Sequence, residues 1–285
     1  MKLIRFGELG YEKPGVILDG QRKDCSAYFK DWDYAFLQTD GLKLLSDFLR
    51  EKAHTLSDVP ESTRWASCVA RPGKVVCIGL NYKDHAKETN SAIPQEPILF
   101  LKASNAVVGP YDNLIIPRNS QKTDWEIELG VIIQKNARYL ESAEQAKKYI
   151  AGYTISHDVS EREFQLEHGG QWTKGKSCDT FNPLGPFLVT PDEINDINNL
   201  AMELKVNKKV KQSGNTSAMI FDPFYLVYYT SQFMTLEAGD VISTGTPSGV
   251  GLSTNPSTFL RSGDVVELAI EHLGSQKQIC VNCEI

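Results

Sequence analysis

Residues 124–133 read Asp-Trp-Glu-Ile-Glu-Leu-Gly-Val-Ile-Ile, two glutamates that alternate with apolar residues and lead into an apolar run. On a strand, residues two apart share a face. Glu126 and Glu128 then stand side by side, with Trp125, Ile127 and Leu129 opposite. The continuation through Val131, Ile132 and Ile133 predicts a strand covered on both faces, which requires a layered sheet. Unpaired carboxylates are costly to bury there, and two parallel ones repel unless a cation lies between them or one is protonated. A hard divalent ion with oxygen ligands answers that requirement. Two solvated glutamates on an amphipathic strand are the other reading of an E-x-E.

The rest of the chain predicts an α+β fold that is mainly β. Short β runs recur at 3–6, 15–18, 74–79, 97–101, 125–133, 153–156, 241–243 and 265–270, separated by turn residues such as Lys13-Pro14-Gly15 and Arg71-Pro72-Gly73. Helices are fewer. Leu42, Leu44, Leu45, Phe48 and Leu49 give one apolar face over about 41–53, and Ser142 to Ile150 forms another. A third starts at Asp222 as N-cap with Pro223 in its first turn and runs to about Phe233. Strands and helices do not alternate, which argues against a doubly wound parallel sheet. With 285 residues and 41% hydrophobic side chains, a small N-terminal domain over 1–70 and a catalytic domain over 71–285 are expected, joined by a polar linker at 55–63.

The net charge of −6 and the scattered Lys and Arg disfavour a nucleic-acid partner. No apolar run approaches the roughly 20 residues that cross a bilayer, so no membrane partner is expected either. Charges interrupt the first residues at once, and a cytoplasmic protein is expected. Six cysteines are too sparse for a disulfide scaffold. Cys280-Val-Asn-Cys283 lacks the second pair that zinc needs.

Other segments carry possible chemistry. Asp158 ends the strand 153–156 and offers a third carboxylate. Arg162 and Lys176 could offset the charge for an anionic substrate. In Asn81-Tyr82-Lys83-Asp84-His85-Ala86-Lys87-Glu88, His85 and Glu88 share a helical face, and a carboxylate behind a histidine makes a general base. The alternative is a surface helix with an incidental pair. The polar run 89–96 after it suits a lid. Gly170 to Ser177 spells the phosphate loop G-x-x-x-x-G-K-S, but no apolar strand precedes it and Pro183 and Pro186 follow, so nucleotide binding is a remote alternative. Ser243 to Gly251 is a Gly-rich turn whose N–H groups could hold a carboxylate. No G-x-S-x-G elbow supports a serine triad.

Taken in order, Gly79-Leu80-Asn81-Tyr82 with His85-x-x-Glu88, Glu126-x-Glu128, His157 to Arg162, Gln171 to Ser177, Pro183-Leu184-Gly185-Pro186 and Thr244 to Val250 resemble the fumarylacetoacetate hydrolase superfamily over about 72–270. The resemblance implies a mixed β-sandwich roll, usually a homodimer, holding Mg²⁺ or Mn²⁺ on Glu126, Glu128 and Asp158. It implies that His85 and Glu88 activate water and that Lys176 stabilises an enolate. Arg162, Gln165 and Thr246 would contact substrate, with Tyr82 a further candidate.

Members of this superfamily hydrolyse, decarboxylate or isomerise 2-keto acids. This chain has the short H-x-x-E version, and its length, small N-terminal unit and Trp172-Thr173-Lys174-Gly175-Lys176-Ser177 segment resemble bacterial members labelled ureidoglycolate lyase and the hydrolases of 2,4-diketo-3-deoxy sugar acids. The expected reaction is hydrolysis of a carbon–carbon bond in a 2,4-diketo acid, an acylpyruvate or such a sugar acid, through a metal-stabilised pyruvate enolate. Decarboxylation or tautomerisation of an oxaloacetate-like acid on the same site is the alternative. Cys178 stands beside the lysine region where many members carry Phe.

Overall fold

The computed structural model describes residues 1–284. Its main sheet has 11 strands. From one edge the order is Ser57–Asp58, Gln21–Asp24, Lys13–Leu18, Lys2–Phe6, Asn182–Val189, Ile150–His157, Ile127–Ile133, Val241–Ser243, Val75–Gly79 and Ile98–Lys102, with Val107–Val108 beside Asn182–Val189. Most pairs are antiparallel, but Val241–Ser243 runs parallel to Val75–Gly79, so the sheet is mixed. A second sheet of five strands orders Lys209–Asn215, Ala201–Val206, Val265–Ile270, Gly274–Asn282 and Leu114–Ile116. The expected mainly β, α+β architecture is the one observed.

The strand Ile127–Ile133 lies in the interior of the main sheet and is buried at every position. Its two faces do different work, as the period of two requires. Ile127, Leu129, Val131 and Ile133 join Met202, Leu204, Val266 and Leu268 of the second sheet in one core. Ile132, on the other face, joins a core with Leu3, Val16, Trp32 and Leu45 from the N-terminal segment.

The expected unit over 1–70 therefore shares a core with the rest of the chain. It shares a sheet as well, because Lys2 and Leu3 pair with Val189 and Leu188. Lys13 and Pro14, read as a turn, belong to the strand Lys13–Leu18. The expected linker contains the short strand Ser57–Asp58. The helix Gly41–Lys52 forms as its apolar spacing predicts. Asp222 caps the helix Pro223–Ser231, accepting from the N–H groups of Phe224 and Tyr225. That helix stops two residues short of the expected end.

Candidate active site

The central strand and its neighbour bring three carboxylates together. Ile127 faces His157 in the antiparallel register, and the Asp158 N–H donates to the Glu126 carbonyl at 3.0 Å. Asp158 thus lies beside Glu126, and Glu128 is two residues along on the same face. One oxygen from each of Glu126, Glu128 and Asp158 lies within 4.8 Å of the others, and all three residues are buried. Among the described residues this is the only such group of three His, Cys, Asp or Glu donors.

Cations surround the trio. Lys176 Nζ donates to Glu126 Oε2 at 2.7 Å and to Asp158 Oδ2 at 2.8 Å. Lys102 Nζ donates to Asp158 Oδ1 at 2.5 Å and to the Val159 carbonyl at 3.0 Å. Arg162 donates from Nη2 to Glu126 Oε1 at 2.7 Å and from Nε to Asp124 Oδ2 at 2.8 Å. Burial alone would raise the Glu126 carboxyl, but Lys176 and Arg162 overcome it and hold Glu126 well below the usual carboxylate range. Glu128 behaves oppositely. Burial and the neighbouring charges of Asp158 and Glu126 push its carboxyl well above the usual range. Burial disfavours the Lys176 ammonium, yet Asp158 and Glu126 outweigh it and keep the amine protonated.

This crowding fits a divalent cation. Three oxygen donors converge, and one of them, Glu128, is held toward its protonated form by burial and by the charge of the other two. A hard ion among them relieves that repulsion directly.

The Gly-rich turn closes one side. Gly245 N–H donates to Glu128 Oε2 at 2.9 Å. Its φ is +93°, and a Cβ there would lie 2.8 Å from Asn81 Cβ, so glycine is required. Asn81 pins the facing turn, donating to the Phe221 and Thr244 carbonyls at 3.0 and 2.8 Å. That clamp holds Leu80 at a φ of +54°, a conformation that costs a bulky residue about 1 kcal/mol or more.

The helix Lys83–Glu88 docks on the same turn. Asp84 Oδ2 accepts from the Ser248 N–H and hydroxyl at 3.2 and 2.9 Å. Glu88 Oε1 accepts from the Gly249 N–H at 2.9 Å, while its Oε2 lies 3.1 Å from His85 Nδ1. Glu88 therefore ties the histidine to the glycine turn.

A cavity of about 450 Å³ joins these parts. His85, Glu126, Glu128, Arg162, Gln165, Lys176 and Thr246 line it together. Gln165 Oε1 accepts from Arg162 Nη1 at 3.1 Å. The Thr246 hydroxyl donates to the Ile127 carbonyl at 2.9 Å and accepts from Gln212 Nε2 at 2.8 Å. Thr89 and Ser91, from the expected lid, also reach the wall, and Glu96 at the end of that segment accepts from the Tyr229 hydroxyl at 3.0 Å.

One expected substrate contact is corrected. Tyr82 is completely buried in the sandwich core, and its hydroxyl lies 3.1 Å from Met202 Sδ rather than in the cavity. The phosphate-loop alternative also fails structurally. The helix Arg162–Leu166 precedes the glycines, and Lys176 is committed to two carboxylates. Cys280 is buried and Cys283 exposed at the chain's end.

Two site residues escaped sequence reasoning. Lys102 follows the apolar run 98–101 and carries no local mark of burial, although its side chain is fully inside. Asp124 precedes the E-x-E, and the local pattern assigns it no role of its own. It accepts from the N–H groups of Gly251 and Leu252 at 2.6 and 3.0 Å as well as from Arg162, which joins a second loop to the site. Its place immediately before Trp125-Glu126 was the available signal.

A family model described as "Fumarylacetoacetate (FAA) hydrolase C-terminal" matches residues 74–281. A Burkholderia lata protein whose name proposes a hydrolase without stating a substrate is 46% identical over 280 residues, covering 98% of each chain. A fumarylacetoacetate hydrolase structure from the psychrophile Exiguobacterium antarcticum superposes with a TM-score of 0.85 at 34% identity, covering 99% of this chain and 100% of that one. The maleylpyruvate hydrolase of Sphingobium sp. SYK-6, solved with manganese(II) and pyruvate, gives a TM-score of 0.83 at 27% identity with both chains fully covered.

Proposed function

Because this chain belongs to the fumarylacetoacetate hydrolase family, we propose that it is a divalent-metal-dependent hydrolase of 2,4-diketo acids, cleaving the bond between carbons 3 and 4. The observation that carries this reading is a single cavity lined by Glu126, Glu128 and Lys176 on one side and His85 on another, with Glu88 behind His85.

Glu126, Glu128 and Asp158 would hold Mg²⁺ or Mn²⁺. When bound, that ion supplies Lewis-acid charge to an acidic 2-keto substrate. The chain's own groups account for the rest. Glu88 occupies His85 Nδ1, which leaves Nε2 to take a proton from water. The resulting hydroxide adds to the carbon-4 carbonyl. Collapse breaks the bond to carbon 3, whose electron pair becomes the enolate of pyruvate, and the other product is a carboxylic acid. Lys176 brings a fixed positive charge to the cavity wall where the enolate oxygen forms. A proton delivered to carbon 3 completes pyruvate. Hydrolysis is favoured over decarboxylation because the His85–Glu88 pair is built for water activation, which decarboxylation does not need. The reading extends to a homodimer, checked by molar mass from light scattering, and to a cytoplasmic location.

The test is loss of diketo-acid ultraviolet absorbance with Mg²⁺, with Mn²⁺ and with EDTA, and pyruvate quantified in the same tube. Metal-dependent loss with equimolar pyruvate supports the hydrolase. Oxaloacetate losing carbon dioxide, with no diketo acid cleaved, replaces it by a decarboxylase.

A further inference from the structure

Resting on the diketo-acid reading, we propose that the acyl half of the substrate is apolar, an alkyl or aryl acylpyruvate, and that Trp172, Phe100 and Ile98 form the specificity-determining wall. Apart from Thr89 and Ser91 on the lid side, the rest of the cavity lining is mostly carbon. Ile78, Leu80, Ile98, Phe100, Leu166, Trp172 and Leu252 share the space with the site carboxylates. Several of these have no protein partner for much of their surface. Ile98 is 42% exposed, Leu166 47% and Leu252 37%. The ring of Trp172 meets Phe100 edge to face, centroids 5.3 Å apart. The indole lies so close to Gly79 that a Cβ there would fall 3.0 Å from Trp172 Cζ3. Phe100 in turn lies under Lys176, whose Nζ is 5.1 Å from the ring centroid. The aromatic wall thus begins at the reacting end of the cavity and leads away from it.

Charge argues the same way. The Lys and Arg side chains that line the cavity are Arg162 and Lys176. Arg162 neutralises Asp124 and Glu126, and Lys176 neutralises Glu126 and Asp158. A second carboxylate on the acyl group would be desolvated against Trp172 and Phe100, where the nearest cation, Lys176, is already shared by Glu126 and Asp158. A polyhydroxylated chain would lose water hydrogen bonds against Trp172, Phe100 and Ile98, and only Thr89 and Ser91 on the lid side offer hydroxyls in return. An alkyl or phenyl group loses nothing and covers half-exposed side chains.

The experiment compares kcat/KM of the Mn²⁺-loaded protein for benzoylpyruvate, acetylpyruvate and the dicarboxylate maleylpyruvate. Benzoylpyruvate is expected to exceed maleylpyruvate by at least about tenfold. Trp172→Leu should lower the benzoylpyruvate value at least about tenfold more than the acetylpyruvate value. Ile98→Lys, which places a cation at the rim, should shift the ratio toward maleylpyruvate. Maleylpyruvate as the best substrate overturns the proposal while leaving the hydrolase reading intact, and so does a Trp172→Leu loss equal on all three. If none of the three is cleaved, the hydrolase reading falls and calorimetric Kd values judge the wall. Tighter binding of benzoylpyruvate that Trp172→Leu abolishes supports it; equal or tighter binding of maleylpyruvate overturns it.

Discussion

The Lys176 ammonium lies 2.7 Å from Glu126 Oε2, fifty residues away in the chain and almost completely out of water. Asp158 is its second partner. Removing the cation leaves two buried carboxylates short of charge. Lys176→Met is expected to destabilise the metal-free protein by about 3–5 kcal/mol. Saturating Mn²⁺ should recover part of that loss, because it supplies positive charge to the same oxygens. Urea midpoints with EDTA and with Mn²⁺ check both halves of the prediction.

Glu126→Gln and Asp158→Asn each remove one anionic oxygen donor. Metal affinity should fall by more than the roughly 10–100-fold seen when a mere supporting partner is lost. The wild-type protein should gain about 2.7 kcal/mol of stability at a metal concentration 100 times its Kd, and the variants should gain almost none. Calorimetric Mn²⁺ titration and thermal melts measure this. A variant that binds Mn²⁺ as tightly as wild type refutes the ligand assignment.

His85→Ala should keep metal binding, since Glu126, Glu128 and Asp158 do not depend on it, and should lose about 10²–10⁴-fold in kcat. Glu88→Gln should lose less, because an amide can still meet His85 Nδ1 and lacks only the charge. Steady-state kinetics beside Mn²⁺ affinity separate the two effects. Retained turnover in His85→Ala would remove the water-activation role.

His157 predicts an acid limb in stability. Gln278 donates from Nε2 to the Pro110 carbonyl and to Gln276 Oε1, so its Oε1 accepts from His157 Nδ1 at 3.0 Å. His157 Nε2 is then a buried lone pair with no partner. Burial, aided by Lys102, lowers its pKa from 6.5 to about 3. Between those values the unfolded chain holds a proton that the native state lacks. Stability conferred by the neutral ring is complete above about pH 6.5 and is lost as pH falls toward 3, by about 1.4 kcal/mol per pH unit. His157→Gln should flatten the slope of unfolding free energy between pH 6 and 4 by close to one proton. An unchanged slope refutes it.

Local pattern accounts for the parts of this protein that lie within one element. The period of two put Glu126 and Glu128 on one face and called for cover on both; the two carboxylates do converge, with Glu126 standing one residue before the strand Ile127–Ile133, which is buried throughout. The i, i+3 spacing of His85 and Glu88 and the Asp222-Pro223 cap are equally local. The strand Asn182–Val189 was not among the expected β runs because Pro183, Gly185 and Pro186 are unfavourable inside a strand; its pairing with Ile150–His157 is irregular, with a register shift between Tyr153 and Ile155.

Tyr82 shows where such reading stops. It stands beside residues that reach the cavity, but its ring enters the sandwich core, a choice set by the neighbouring sheet and not by its neighbours in sequence. Lys102 meets Asp158 across 56 residues, and Asp124 meets Leu252 across 128. What the sequence by itself determined is which side chains share a face of each strand or helix, because backbone periodicity is local. Which faces meet, and therefore which cations neutralise which buried carboxylates, was decided only by the tertiary structure, because burial leaves a charge no partner except the one that packing brings to it.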